Sequence, residues 1–263
     1  MIFFCIMTFS VLSSFIQQSL NIIYPSHCQF CGEEMDAINA PIALCPDCWG
    51  GLKFLQTNSC IKCAQPLDSS NVTGGRPVTC LNCVKAPPPF TSSMAVFEYN
   101  DIIKHLLLQF KYGDKTNLKI LFAKWLFNRI SDNLADIDYI TPVPLHFFRL
   151  VNRRYNQAQL IINEMKHRHF CPDIQQKCIP DILQRIKHTK PMGHLSPRER
   201  KNNIRGSIRL NKKWISEIKA KKILLIDDVF TTGATFTEST KILKKHGADE
   251  VHVACIARVP HRR

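Results

Sequence analysis

Residues 222–235 read KILLIDDVFTTGAT, and this stretch decides the fold. The apolar run at 222–226 predicts a strand buried on both faces, as in a parallel sheet. Two acids, Asp227 and Asp228, leave the end of this strand, and a short loop then opens a helix predicted at 235–245. Sheets of this kind bind ligands beyond the carboxyl ends of their strands, so we expect the functional site at this junction.

The loop after the acids has the composition of a phosphate cradle. Backbone N–H groups at the start of a helix can surround a phosphate at the positive end of the helix dipole, and glycine lets the backbone approach closely. Carboxylates accept hydrogen bonds from adjacent hydroxyls, so we predict that Asp227 and Asp228 bind a ribose diol. The 5′-phosphate of the same ribose would lie on Thr231, Thr232, Gly233, Ala234 and Thr235.

The chain from residue 90 onward alternates strands and helices. Strands are predicted at 92–99, 138–143, 222–226 and 251–257, and helices at 101–112, 118–130, 155–167 and 235–245. This alternation predicts an α/β fold with a mostly parallel sheet and helices on both faces.

Eight of the twelve cysteines form four Cys-x-x-Cys pairs, which are Cys28/Cys31, Cys45/Cys48, Cys60/Cys63 and Cys80/Cys83. Two such pairs complete a tetrahedral site for zinc, and the sites leave no open position for catalysis. We therefore predict two structural zinc ions in a double zinc ribbon. The simplest arrangement joins the first pair to the second and the third to the fourth, although interleaved arrangements, disulfides and an iron–sulfur cluster stay open.

The boundaries follow from composition. An apolar helix is predicted at 1–24, the double zinc ribbon at 25–86, and the α/β domain at 90–263, after the stiff Pro87–Pro89 linker. The N-terminal stretch resembles the core of a signal peptide, but no Lys or Arg precedes it and no small-residue cleavage site follows. No stretch reaches the roughly 18 uncharged apolar residues of a spanning helix, so the sequence predicts no membrane-embedded core.

The positive charge is concentrated in one segment. The formal net charge is −1 over residues 1–140, +14 over 141–222 and +1 over 223–263. Such a block favours a polyanionic partner, either nucleic acid or a phosphorylated small molecule, although a solvated basic face with no ligand is an equal alternative.

The motif at 226–235 resembles the phosphoribosyl pyrophosphate (PRPP) motif of type I phosphoribosyltransferases. Nearly the whole chain resembles the ComF family of competence-associated proteins, which join a double zinc ribbon to such a domain. Four further segments carry the resemblance: Lys111-Tyr112-Gly113, Thr141 to His146, Arg153 to Gln157, and the basic hood from Arg185 to Gly206. Arg154 departs from the family's glycine and Met192 from its glutamine, which puts a specific acceptor chemistry in doubt.

The resemblance implies that Mg²⁺ bridges the PRPP diphosphate and the ribose hydroxyls. The diphosphate would lie at the loop after the second predicted strand, which contains Pro142, Val143, Pro144, Leu145 and His146, with Arg149 and Arg153 as counter-charges. Part of the basic hood would fold over the site and exclude water. No general base can be named, and His146 is a candidate by position alone.

The resemblance also implies a cytosolic role in natural transformation, in which the protein binds Mg–PRPP and handles incoming single-stranded DNA. A catalytically active transferase with an unknown acceptor, such as a nucleobase or an amine, is one alternative. A PRPP sensor without turnover is the other. DNA-uptake or recombination proteins are further candidate partners, and the sequence leaves a homo-oligomer open.

Overall fold

The computed structural model describes residues 26–35, 44–55, 59–67, 78–113, 115–145, 155–187 and 196–260. The chain divides into two compact units, Met1–Leu52 and Lys53–Arg263. The predicted N-terminal helix at 1–24 lies outside the described residues. None of the helices that are described is long and apolar enough to cross a bilayer.

The first unit is a small metal-binding module. Strands β1 (Ser26–His27) and β2 (Glu34–Met35) pair antiparallel, and helix α1 (Pro46–Gly50) follows. Among its described residues, the buried apolar side chains other than cysteine are Met35, Leu44 and Leu52. Because so little apolar surface is buried, a bound metal would supply most of the folding free energy of this unit.

The second unit contains the sheet. Its helices and strands are, in chain order, α2 (Leu81–Lys85), β3 (Ser92–Glu98), α3 (Asp101–Tyr112), α4 (Leu118–Ile130), β4 (Tyr139–Pro142), α5 (Gln157–His167), α6 (Ile174–Lys177), β5 (Leu183–Arg185), α7 (Pro197–Ile204), β6 (Ile208–Leu210), β7 (Lys222–Phe230), α8 (Ala234–Lys245) and β8 (Glu250–Arg258). The main sheet has the order β3-β8-β7-β4, and all its neighbouring strands are parallel. The predicted α/β fold with a mostly parallel sheet is therefore confirmed.

Strand β7 has helices on both sides, as its apolar sequence predicts. Ile223 and Leu225 belong to a buried cluster that includes Phe236 and Leu243 of α8. The alternate residues Leu224 and Ile226 point to the opposite face by the two-residue period of a strand, and α5 packs there against β4 and β7.

Strand β7 is longer than the prediction at 222–226. It runs to Phe230, because β8 continues to pair with it until Phe230 lies opposite Arg258. The hydrogen bonds offered by a neighbouring strand outweigh the low strand propensity of aspartate. Asp227 and Asp228 therefore lie inside the strand rather than in the loop after it.

The outer edge of the sheet is covered by the region of the last two cysteine pairs. The edge strand β3 accepts one hydrogen bond from this region, from Leu55 N to Val96 O at 2.8 Å, and donates another, from Ser93 N to Ile61 O at 2.8 Å. Phe54 bridges antiparallel to Phe97 on the same edge. These contacts satisfy backbone groups that an open edge would expose. They also place residues 53–86 in the same compact unit as the sheet, whereas the predicted boundary lies after residue 86.

The basic segment forms structure that the sequence did not predict. Strands β5 and β6 pair as an antiparallel hairpin, and α7 begins with a capping box between Ser196 and Glu199. Helix α7 packs against α8, and Gly206 N donates to Glu238 Oε1 of α8 at 2.6 Å. The end of the hood is thereby attached to the helix that opens at the phosphate loop.

We expect Asn156→Ala to destabilise the protein by about 2 kcal/mol. The Asn156 side chain caps α5 by accepting from Ala158 N at 3.0 Å, and it also donates to Val143 O at 3.0 Å, at the end of β4. A lost cap and a lost hydrogen bond cost about 1 kcal/mol each. Asn156→Asp is the matched variant, since it keeps the capping oxygen and removes the donor to Val143 O, and we expect a loss of about 1 kcal/mol. Urea unfolding measures both values, and an Asn156→Asp variant as stable as the wild type would contradict the second role of Asn156.

Candidate metal centres and phosphate-binding site

The eight paired cysteines form two tetrads, each with its ligand atoms within 4.8 Å of one another. The first joins Cys28 and Cys31 to Cys45 and Cys48, and the second joins Cys60 and Cys63 to Cys80 and Cys83. This is the sequential pairing that the spacing predicted. Tetrahedral zinc with Zn–S bonds of about 2.3 Å needs sulfur atoms about 3.8 Å apart. The Cys31–Cys45 and Cys63–Cys80 sulfur pairs lie at 3.7 Å, so both tetrads fit zinc.

The two tetrads are built in the same way. In each, the first pair forms a tight turn that ends on a left-handed residue, Gly32 at φ 79° or Ala64 at φ 52°. The second pair lies at the start of a five-residue helix, where Cys45 and Cys80 are the N-caps of α1 and α2. Positive φ is unusual for alanine, and the fold tolerates it where a turn must bring two thiolates to one ion.

The second tetrad also has a stabilised thiolate. A hydrogen bond from the Cys63 thiol, helped by the backbone N–H of Cys80 at 3.2 Å from Cys60 Sγ, lowers the pKa of Cys60 to about 4. Since zinc binds the thiolate form, this environment prepares the ligand for the metal. The residues present therefore fit two structural zinc ions, one in each tetrad. The four sulfur ligands of each tetrad leave no open coordination position.

The predicted ribose-binding acids lie at the carboxyl end of the sheet. Asp228 is 8% exposed and forms an ion pair with Lys111, whose Nζ lies 2.6 Å from Asp228 Oδ2. Asp227 is partly buried, and its Oδ1 accepts from the N–H of Asp228 at 2.9 Å. Both acids are thus held near the carboxyl end of β7, at the edge where ligands of parallel sheets bind.

The predicted phosphate loop opens α8. Gly233 is the N-cap of this helix and has a left-handed φ of 73°. A Cβ atom at Gly233 would lie 2.6 Å from Cε2 of Phe230, so an L side chain would meet both strain and a clash. Thr232 Oγ1 accepts from Ala234 N at 3.4 Å, and Thr231, Thr232, Ala234 and Thr235 are all partly exposed. The loop thus keeps an accessible helix N-terminus, which can bind a phosphate.

The predicted diphosphate loop begins next to the acids. Pro142 pairs with Ile226, and Val143 N donates to Ile226 O at 2.8 Å, so β4 ends beside Asp227. Pro144 and Leu145 continue from this point. His146, Arg149 and Arg153 lie outside the described residues, as do Arg154 and Met192.

The structure adds two cations that the sequence analysis did not assign to the site. Lys111 comes from the end of α3, which is held in place because Tyr155 Oη donates to Phe110 O at 3.1 Å. Arg185 comes from β5, and its charge acts on Asp227. Both belong to segments that match the family, but their pairing with the acids depends on long-range packing and has no sequence signal.

Burial raises the pKa of Asp227 to about 7, and the neighbouring Asp228 carboxylate adds to this effect. The positive charges of Lys111 and Arg185 act in the opposite direction and are weaker. A carboxyl whose charged form is disfavoured in the free protein is typical of a functional site, where a ligand supplies the missing interactions.

We expect Asp227→Asn to become more stable relative to the wild type as the pH rises. The pKa of Asp227 is raised above its unfolded value of about 3.9, so the folded protein binds more protons between about pH 4 and pH 7 and loses stability as the pH increases. The difference in the free energy of unfolding between Asp227→Asn and the wild type should grow by roughly 1–3 kcal/mol from pH 4 to pH 8. Urea unfolding over this range measures it, with Asp249→Asn, an exposed acid before β8, as the control. A pH-independent difference would rule out a buried charge at Asp227.

Comparisons with known proteins agree with this architecture. Residues 19–84 match the family model described as a double zinc ribbon domain, and residues 125–263, just over half the chain, match the phosphoribosyl transferase domain model. Competence protein F of Haemophilus influenzae is 28% identical over 226 residues, which cover 81% of this chain and 96% of that protein.

Two further relatives have similar coverage. DNA utilization protein YhgH of Escherichia coli K12 is 27% identical over 204 residues, covering 76% of this chain and 83% of that protein. Competence protein ComFC of Streptococcus pneumoniae is 24% identical over 241 residues, covering 88% of this chain and 99% of that protein. With a double zinc ribbon, a phosphoribosyltransferase fold and these relatives, the chain belongs to the ComF family.

Proposed function

We propose that this protein binds Mg–PRPP at the carboxyl edge of its sheet and acts in the cytoplasm on DNA that a cell takes up or uses. The observation that carries the first part is the order of groups along one strand–loop–helix. An acid pair lies near the end of β7, and an accessible helix N-terminus begins α8 after Gly233. This order matches the order of the ribose diol and the 5′-phosphate in PRPP.

The ribose hydroxyls would donate to the carboxylates of Asp227 and Asp228. In the free protein Lys111 forms an ion pair with Asp228, so the carboxylate is held in place before the ligand arrives. Preorganisation of this kind lowers the entropic cost of binding. The 5′-phosphate would accept hydrogen bonds from the backbone N–H groups of residues 232–235.

The diphosphate would lie on the other side of the ribose, beside Pro142–Leu145 and the predicted cations Arg149 and Arg153. When it is bound, Mg²⁺ neutralises part of the diphosphate charge and takes oxygen ligands, which the diphosphate and the ribose hydroxyls provide. The residues of this chain would then hold the ribose and the 5′-phosphate in a fixed orientation and exclude water from the sugar.

Turnover is the alternative that the same pocket allows. The described residues include no histidine beside the acids that could serve as a general base, and His146 lies outside them. Release of pyrophosphate from Mg–PRPP in the presence of cell extract would identify a transferase. PRPP binding without such release would identify a sensor or a binding protein.

The proposed action on DNA is supported by the printed names of the relatives, which refer to competence and DNA utilization. The basic segment 141–222 has the charge that such a partner requires. Arg198 and Lys201 of α7 and Arg205 after it are exposed, and no ion pair holds them among the residues that the structure describes. Single strands bind to basic surfaces of this kind through their phosphates.

We expect wild-type protein to bind Mg–PRPP in calorimetry and Asp228→Asn to bind it ten- to a hundredfold more weakly. The substitution removes a charge-assisted hydrogen bond to the ribose, which is worth about 1.5–3 kcal/mol. Asp249→Asn keeps the fold and lies at the opposite edge of the sheet, so its affinity should equal that of the wild type. Equal affinities for Asp228→Asn and the control would show that Asp228 does not contact the ribose.

We expect the protein to bind a single-stranded oligonucleotide with an affinity that falls steeply with salt. The slope of log affinity against log salt concentration should become less steep by about 0.7 for each phosphate contact that is lost. Arg198→Glu/Lys201→Glu should therefore reduce both affinity and slope. The control is Lys104→Glu/Lys124→Glu, which changes two exposed lysines outside the basic segment. Fluorescence anisotropy measures the affinities of the wild type and both double variants. An affinity that changes neither with salt nor in Arg198→Glu/Lys201→Glu would contradict direct contact with DNA.

A further inference from the structure

We propose that Arg258 is a positioning residue that couples zinc in the second cysteine tetrad to the shape of the phosphate loop. Zinc binding at Cys60, Cys63, Cys80 and Cys83 and Mg–PRPP binding at the loop would then strengthen each other. This inference rests on the proposed function of the loop. It assigns a role in ligand binding to a metal site whose four sulfur ligands leave no position for catalysis.

The guanidinium of Arg258 joins the two sites directly. Its Nε donates to the carbonyl of the zinc ligand Cys63 at 2.7 Å, and its Nη1 donates to the carbonyls of Thr231 at 2.8 Å and Phe230 at 3.2 Å. Nη1 also donates to Val259 O. The side chain is completely buried. Buried hydrogen bonds to a charged donor are strong and strongly directional, so the Cys63 and Thr231 carbonyl groups are fixed relative to each other.

A second contact transmits the same geometry to Gly233. The Arg258 guanidinium carbon lies 4.5 Å from the centroid of the Phe230 ring. That ring in turn occupies the space where a side chain at Gly233 would stand. The ring therefore lies between the guanidinium and the residue that begins α8. A shift of Arg258 would move the loop backbone that we assign to the phosphate.

The turn that contains Cys60 and Cys63 is held in place by contacts with β3. Lys62 Nζ donates to Thr91 O at 2.8 Å, and the Ile61 carbonyl accepts from Ser93 N at 2.8 Å, so the turn is tied to the start of β3. Zinc completes the turn by fixing both sulfur atoms. Without the metal, the orientation of the Cys63 carbonyl would depend on free thiols.

Charge favours the same coupling. Zinc with four thiolates has a formal charge of −2, which compensates a buried guanidinium close to the tetrad. The zinc-bound tetrad is therefore a suitable counter-charge for this buried cation. Loss of zinc would weaken the position of Arg258 through the geometry of the Cys63 carbonyl.

The space between the two sites is not filled by other side chains. A cavity of about 440 Å³ has Cys63 and Cys83 on its wall together with Thr232, Gly233 and Thr237. Arg258 is also part of this wall. Phe90 lies on the same wall and packs edge-on against Phe230 at 6.0 Å, so apolar packing supports this side of the cavity. Arg258 adds the hydrogen bonds that join the Cys63 carbonyl to the loop.

Coupling of this kind is reciprocal, so the wild-type protein offers a test without any substitution. Full-length protein with two bound zinc ions is challenged with a chromogenic chelator, with and without Mg–PRPP. We expect Mg–PRPP to raise about tenfold the chelator concentration that releases one of the zinc ions at equilibrium, and to leave that for the other unchanged. If calorimetry detects binding and the chelator concentrations for both zinc ions stay the same, the inference is wrong. If calorimetry detects no binding of Mg–PRPP, the proposed function itself fails.

Arg258→Gln tests the residue, and Arg129→Gln is its matched control. Arg129 is also largely buried and donates from Nε to Leu55 O and Ala95 O at 3.2 Å, but these carbonyls lie away from the phosphate loop. We expect Arg258→Gln to bind Mg–PRPP about tenfold more weakly and to abolish its effect on zinc release. Arg129→Gln should preserve both. Equal PRPP affinities in the two variants would overturn the inference.

Arg258→Lys is the second variant if Arg258→Gln does not fold. It keeps the charge, but a single ammonium cannot reach the Cys63 and Thr231 carbonyls with the fixed spacing of a guanidinium. Weak PRPP binding and no effect of PRPP on zinc release would support the bridge. Wild-type values for both would show that charge alone is sufficient and would contradict it.

Discussion

The parallel pairing of β7 with β8 continues past Ile226 to Phe230, and the rest of the structure depends on this extension. It holds Asp227 and Asp228 in a hydrogen-bonded strand rather than in a mobile turn. It ends with Phe230 opposite Arg258, so the phosphate loop begins above a buried guanidinium. A ligand that reaches this edge meets groups that are already fixed by backbone hydrogen bonds, which is what selective binding of a small phosphorylated sugar requires.

Much of the fold could be predicted from the sequence, because its strongest signals are local. The apolar run before Asp227 and the stripe that includes Leu106 and Phe110 of α3 belong to elements found where periodicity placed them. The four Cys-x-x-Cys pairs were also evident, but spacing left more than one way to join them, and the structure shows the simplest one. The hairpin β5–β6 was missed, since three-residue strands in a basic segment have no clear period.

The site was predicted less completely, for a physical reason. Asp227, Asp228 and Gly233 are consecutive or nearly so, and their chemistry can be read from their order. Lys111 reaches Asp228 only after α3 packs on the sheet, and that contact spans more than a hundred residues. Arg258 follows directly after the apolar strand predicted at 251–257, but nothing in the sequence indicated that its partners are the zinc ligand Cys63 and the loop.

The second cysteine tetrad and the sheet lie in one compact unit. The region of this tetrad pairs with the edge strand β3, and Arg258 joins Cys63 to the predicted phosphate loop, so zinc and PRPP at the proposed sites would be mechanically linked. The basic helix α7 is attached to α8, which begins at the same loop. Ligand binding at the loop can therefore influence both the metal site and the surface proposed for DNA.

The most direct test of this account is a crystal structure of the protein with Mg–PRPP. The account predicts ribose hydroxyls within hydrogen-bonding distance of the Asp227 and Asp228 carboxylates. It also predicts the 5′-phosphate on the backbone N–H groups that begin α8. A PRPP molecule bound elsewhere, for example on the cations of α7 with the acid pair untouched, would contradict the central claim.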